Sequence, residues 1–182
     1  MKKIKIRSTT ILGIRSKRQV AIAGDGQVTF GDMAMKQKAV KVRRFETEKG
    51  DVVGGFAGAA ADALTLFEKF EHKLDEFNGD LKRSVVDLAK DWRTDKILRH
   101  LEAMLIVMDK RNSFIISGDG NVIEPDGPIV SIGSGGGFAH AAATAFIQSD
   151  KYSAKQIAEK ALKIAAELCI YTNDTITVLE VK

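Results

Sequence analysis

The sequence predicts an α+β fold in which antiparallel sheets are covered by helices packed in pairs. Three observations predict it. Short β-branched runs open the chain and return in its second half. Two stretches with apolar residues three and four apart separate those runs, and two more precede the last one. The elements thus come in blocks of one type, not in the regular alternation that builds a parallel sheet.

Residues 9–15 and 20–24 are the first strands, and Gly24-Asp25-Gly26 reads as the turn that leaves them. Residues 41–45 and 52–57 form a second pair across a polar turn that contains Gly50. The period then changes. Ala63, Leu66, Phe67, Phe70, Leu74 and Phe77 mark one face of a long helix, which Asn78-Gly79 ends. Asp80 caps a second helix with Leu81, Val85, Leu88 and Trp92 along its apolar face. Strands return at 103–108, 113–117, 122–124 and 129–132. Gly133-Ser134-Gly135-Gly136-Gly137 leads into an alanine-rich helix that ends near Ser149. Ser153-Ala154-Lys155-Gln156 is a capping box for the next helix, whose apolar face is Ile157, Ala161, Ile164 and Leu168. Residues 175–181 form the last strand.

The charge balance narrows the function. The net charge is +4, from 28 basic and 24 acidic residues. Lys2, Lys3, Lys5 and Arg7 all lie in the first eight residues, and without them the two signs are equal. A neutral body gives no footprint for nucleic acid. No apolar run is long enough to span a bilayer. The basic start lacks the apolar stretch of an export signal. The single cysteine, Cys169, cannot form an internal disulfide, so the chain reads as cytoplasmic.

Few residues offer chemistry by themselves. The glycine-rich segment 133–137 follows a strand and opens a helix, as a dinucleotide site would, but the third fingerprint glycine falls on Phe138. No Lys-Ser or Lys-Thr pair completes a phosphate loop, so a strand-to-helix turn is the simpler reading. His72, His100 and His140 stand far apart, and none has metal-ligand spacing with a second His or Cys. Thr9-Thr10 alone is ordinary strand composition.

Combination changes this. Thr9-Thr10-Ile11-Leu12-Gly13-Ile14-Arg15, Ala23-Gly24-Asp25-Gly26-Gln27, Lys41-Val42-Arg43-Arg44 and Gly55-Phe56-Ala57-Gly58 resemble the start of the HslV family of proteasome-like peptidases. The resemblance continues through Ala61-Asp62-Ala63, through 88–95 (Leu-Ala-Lys-Asp-Trp-Arg-Thr-Asp), Leu101-Glu102-Ala103, Ile132-Gly133-Ser134-Gly135-Gly136 and Cys169-Ile170-Tyr171-Thr172-Asn173. It implies a four-layer αββα sandwich of the N-terminal-nucleophile hydrolase type. Residues 1–8 would be a prosegment removed on maturation, and 9–182 a single peptidase domain. The implied activity is a threonine endopeptidase that degrades unfolded proteins inside two stacked six-membered rings. The AAA+ unfoldase HslU would feed the chamber with ATP, because this chain has no nucleotide motif. A catalytically inactive ring scaffold is the rival, and the joint presence of Thr9, Lys41 and Asp25 argues against it.

The resemblance also assigns roles. Thr9 is the nucleophile, and its own α-amine, free only at a chain start, is the base. Lys41 keeps that amine unprotonated and stabilises developing negative charge. Asp25 holds Lys41, the Gly55 N–H donates to the oxyanion, and Ser134 lies near the Thr9 amine. A sodium ion is implied on the backbone carbonyls of Ala166, Cys169 and Thr172, at the negative end of a helix. Three features depart from the family pattern: a longer leader, a slightly extended 45–53 hairpin, and Gly137-Phe138 where Pro-Tyr is common.

Overall fold

The computed structural model describes residues 9–58, 60–95 and 103–181. Strand β1 (Thr10–Ser16) returns through Lys17 and Arg18, both at positive φ, into β2 (Gln19–Asp25). Consecutive left-handed residues match the twist of a two-residue hairpin. The expected turn at Gly24-Asp25-Gly26 is not there: Asp25 is still in the strand, paired with Ile176. The glycines serve close packing instead. A Cβ on Gly24 would lie 2.8 Å from Ile11 Cδ1, and one on Gly26 would lie 2.4 Å from the Gln37 carbonyl oxygen. A small hairpin of β3 (Val28–Phe30) and β4 (Met33–Lys36), which the sequence pattern misses, follows. Then come β5 (Val42–Phe45) and β6 (Val52–Ala57).

Helices α1 (Ala60–Glu76) and α2 (Leu81–Thr94) form an antiparallel pair. Asn78 and Gly79 at positive φ end the first, and the Asp80 side chain accepts the Arg83 N–H to start the second. Lys73 clamps the pair, with its ammonium 2.6 Å from Asp87 and 3.1 Å from Asp91. Strands β7 (Met104–Met108), β8 (Ser113–Ser117), β9 (Val122–Ile123) and β10 (Ile129–Gly133) precede α3 (Gly136–Gln148) and α4 (Ala154–Leu168). Both halves of the Ser153–Gln156 capping box are formed. Strand β11 (Ile176–Glu180) comes last.

One sheet runs β10-β1-β2-β11 and the other β5-β6-β7-β8-β9, and all of their pairings are antiparallel. Three apolar clusters define four layers. Phe45, Phe70, Leu88 and Trp92 bind α1 and α2 to the five-stranded sheet. Leu12, Ala139, Ile157 and Leu162 bind α3 and α4 to the other. Ile11, Ile22, Val53 and Ile106 fill the space between the sheets. This is the αββα sandwich. One expected core residue, Leu168, is turned out, 60% exposed at the end of α4. The buried stripe of that helix is Ala154, Ile157, Ala158, Ala161, Leu162 and Ala165.

Candidate active site

Thr9 leads into β1 and Asp25 ends β2, so the four-stranded sheet carries both. Lys41 precedes β5, and Gly55 lies in β6 of the facing sheet. The site is therefore assembled across the seam of the sandwich.

Lys41 and Asp25 are its charged centre. The ammonium lies 2.9 Å from Asp25 Oδ1, and the two side chains are 5% and 0% exposed. Lys41 also donates to the Gln27 carbonyl at 2.5 Å. Burial pushes the lysine pKa below its ordinary value, and the Asp25 charge and hydrogen bond partly oppose that. Asp25 has further donors. Its Oδ1 accepts the Thr10 N–H at 2.7 Å, and its Oδ2 accepts those of Gln27 at 2.9 Å and Asn173 at 3.4 Å.

Thr9 is 1% exposed. It lines, together with Lys41, Val28, Val42, Phe56 and Leu64, a mainly apolar cavity of about 380 Å³. Lys36 and Arg43 also line it. The Thr9 carbonyl accepts the Ser134 N–H at 2.9 Å. Its φ is +125°, a conformation that a β-branched residue avoids at a cost of about 1–3 kcal/mol. Beside it Gly133 has φ +90°, and a Cβ there would stand 1.9 Å from the Thr9 carbonyl oxygen.

Thr10 points the other way, as strand alternation requires, yet it is no bystander. Its hydroxyl pairs with the Thr172 hydroxyl at 2.7 Å and accepts the Gly135 N–H at 2.9 Å. A Cβ on Gly135 would sit 2.3 Å from that hydroxyl oxygen. The sequence marks Thr10 only as a neighbour of Thr9. The only hint of its role is that a hydroxyl inside an apolar strand must find a partner.

Gly55 pairs with Val42 across β5 and β6, and the next residue, Phe56, donates to the Lys41 carbonyl at 3.2 Å. Its lack of a side chain is required by packing between the sheets, since a Cβ would lie 2.5 Å from Ile11 Cγ2. Ser134 reaches Thr9 through its main chain. Its side chain borders a separate depression with Phe138, Leu168, Cys169, Ile170 and Tyr171. Ala166 lies in the last turn of α4, and Cys169 and Thr172 follow its end. Cys169 is the buried C-cap, and its carbonyl accepts the Thr172 N–H at 3.0 Å. His72 and His140 are exposed, and His100 falls outside the described residues, as do residues 1–8. Among the described residues no three His, Cys, Asp or Glu side chains form a metal cluster, and no helix is long and apolar enough to cross a membrane.

The arrangement matches known proteins over almost its whole length. Residues 6–181 match the family described as proteasome subunit. The ATP-dependent protease subunit HslV of Treponema denticola is 52% identical over 177 residues, 97% of this chain and 98% of that protein. The crystal structure of HslV from Trypanosoma brucei superposes with a TM-score of 0.87 at 47% identity, covering 94% of this chain and 98% of that one. Thiobacillus denitrificans BPH, in complex with epoxomicin, shares the fold at a TM-score of 0.74 and 21% identity, covering 94% and 97%. A buried Lys–Asp pair beside a strand-leading threonine, in a four-layer sandwich with these relatives, places the chain in the proteasome subunit family, among the HslV-type protease subunits.

Proposed function

We propose that this chain is the threonine peptidase subunit of an ATP-dependent protease, with Thr9 as its nucleophile once residues 1–8 have been removed. The observation that carries the reading is the buried Lys41–Asp25 pair, whose lysine lines one cavity with Thr9. A buried ion pair is a poor source of stability, so its place beside a hydroxyl argues for chemistry.

Removal of the leader supplies the base. An internal threonine has only an amide nitrogen, whereas a terminal one has an amine that titrates near neutral pH. The angle φ of Thr9 exists only while a residue precedes it, so cutting that bond also releases the unfavourable conformation at +125°. The Thr9 hydroxyl then attacks the scissile carbonyl while its proton passes to the α-amine. Lys41 holds that amine free by its charge and faces the negative charge that develops on oxygen. The Ser134 N–H, bonded to the Thr9 carbonyl at 2.9 Å, would hold the residue that carries the amine, whereas the Gly55 N–H, expected to meet the oxyanion, is turned toward Ile106 of β7 because its neighbour Phe56 is the one that donates to Lys41. Collapse expels the leaving amine with a proton from the α-amine and leaves an ester on Thr9, which water hydrolyses.

The HslV relatives support the larger assembly: two stacked six-membered rings in the cytoplasm, unfolded protein as substrate, and the unfoldase HslU as the partner that spends ATP. A sodium ion at the end of α4 is part of the proposal. Main-chain carbonyls at a helix C-terminus suit a hard monovalent cation, and the Cys169 oxygen retains a second lone pair. Ala166, Cys169 and Thr172 would hold it through their carbonyls, and it would stiffen the loop that reaches Thr10.

The test combines intact mass with turnover of a fluorogenic peptide, with and without HslU and ATP. Active protein should begin at Thr9 and turn over faster with its partner. Full activity in a chain that keeps Met1 would overturn the amine mechanism.

A further inference from the structure

Gln27 stands between the two charged residues and touches both through its main chain. Its N–H donates to Asp25 at 2.9 Å, and its carbonyl accepts from Lys41 at 2.5 Å. Neither contact needs a particular side chain, yet the side chain is buried, 7% exposed, and engaged. Its amide nitrogen donates to the Ile170 carbonyl at 2.8 Å and to the Thr29 hydroxyl at 3.0 Å. The preceding residue is held as well. The Gly26 N–H donates to Asn173 at 2.9 Å, and its carbonyl accepts the Ala39 N–H at 2.9 Å. Ile170 and Asn173 both belong to the connection between α4 and β11.

We infer that Gln27 is a positioning residue: its side-chain amide, anchored on Ile170 and Thr29, fixes the carbonyl that shares Lys41 with Asp25. The inference rests on the peptidase reading. An ammonium has three N–H donors in a fixed tetrahedral fan. Asp25 and the Gln27 carbonyl take two, which leaves one to aim into the cavity shared with Thr9. If the carbonyl swings away, the third donor loses its direction and the ammonium loses an acceptor. The transition state suffers and substrate docking does not. The lost acceptor also makes the proton easier to remove. The other charged groups about Lys41 are Asp25 on β2, which retains the proton, and Lys36 on β4 and Arg43 on β5, which repel it. The amine of processed Thr9 joins them. None of these is altered by substitution at 27.

Gln27→Met keeps the length of the side chain and removes its donors. In processed, assembled protein with a fluorogenic peptide, kcat should fall about tenfold with KM unchanged, the scale of one lost hydrogen bond. The alkaline limb of the kcat profile should move to lower pH. Thr29→Val removes one of the two anchors, spares Ile170, and should give a smaller fall in the same direction. Wild-type kcat in Gln27→Met, or a fall with the alkaline limb unmoved, would overturn the positioning role while the peptidase reading stands. Absence of turnover in the processed wild-type protein would instead remove the reading on which it rests.

Discussion

The Asp25 carboxylate and the Lys41 ammonium, 2.9 Å apart and buried, are not equally supported. Asp25 also accepts three main-chain N–H groups, from Thr10, Gln27 and Asn173. Lys41 has one further acceptor among the described residues, the Gln27 carbonyl. Removing either partner leaves the other in a different predicament.

Lys41→Met should abolish peptidase activity yet cost little stability, because the remaining carboxylate keeps its three donors. Asp25→Ala should abolish activity and destabilise by about 3–5 kcal/mol, the scale for a buried charge left without its partner. Denaturant unfolding of the two variants checks the order. Equal losses of stability would refute the asymmetry.

The same pair fixes a pH dependence whose sign follows from burial. Lys41 has a pKa below the ordinary lysine value, so between those two values the unfolded chain binds more protons than the folded one. Stability then rises with pH across that window. Activity should move the opposite way, because deprotonation removes the positive charge from the site. Thermal melting of wild type relative to Lys41→Met should increase through the alkaline window while wild-type turnover declines.

Thr9→Ala should assemble and bind peptide without turnover, and Thr9→Ser should retain part of the activity. Thr10→Ala is not the silent control that its place on the opposite face of the strand suggests. It leaves the buried Thr172 hydroxyl and the Gly135 N–H without a partner, which should destabilise by about 1–3 kcal/mol. Melting curves with activity assays separate the two threonines: one loses chemistry, the other loses structure.

Three glycines near the site should respond differently to alanine. Gly135→Ala drives a methyl against the Thr10 and Thr172 hydroxyls, and Gly55→Ala drives one against Ile11; each should cost about 1–3 kcal/mol. At Gly137, inside α3, an added Cβ meets nothing within 4 Å. Gly137→Ala should stabilise by about 0.5–1 kcal/mol through helix propensity. Urea midpoints for the three variants test this.

What the sequence made legible follows burial. Strands with alternating or continuous β-branched residues, and helices with apolar residues three and four apart, appear where their periods put them, because each period is the trace of a buried face. The Val28–Lys36 hairpin left no such trace: its strands are three and four residues long, and Met33–Lys36 is exposed throughout. Gly24-Asp25-Gly26 resembles a turn because glycine usually marks one, and local composition cannot reveal that Ile11 and the Gln37 backbone press against those positions. Thr9, Asp25 and Lys41 are legible through family resemblance, and the fold brings them together. Gln27, Thr10 and Thr172 went unread in their side-chain roles, since hydrogen bonds between distant segments have no sequence period. The leader and the Leu101-Glu102 motif lie outside the described residues.

The placement of the site on the seam also governs its birth. The strand that Thr9 leads pairs on one side with β2, close by in the chain, but its other neighbour, β10, comes only at residues 129–133, and β11 closes the far edge of that sheet at 176–180. Lys41 belongs with the other sheet, whose inner face takes Ile106 and Met108 from β7 as well as Val42 and Val53. A growing chain therefore carries the Thr9 hydroxyl long before it carries the surroundings of the site, which are complete only when the two sheets have closed on each other.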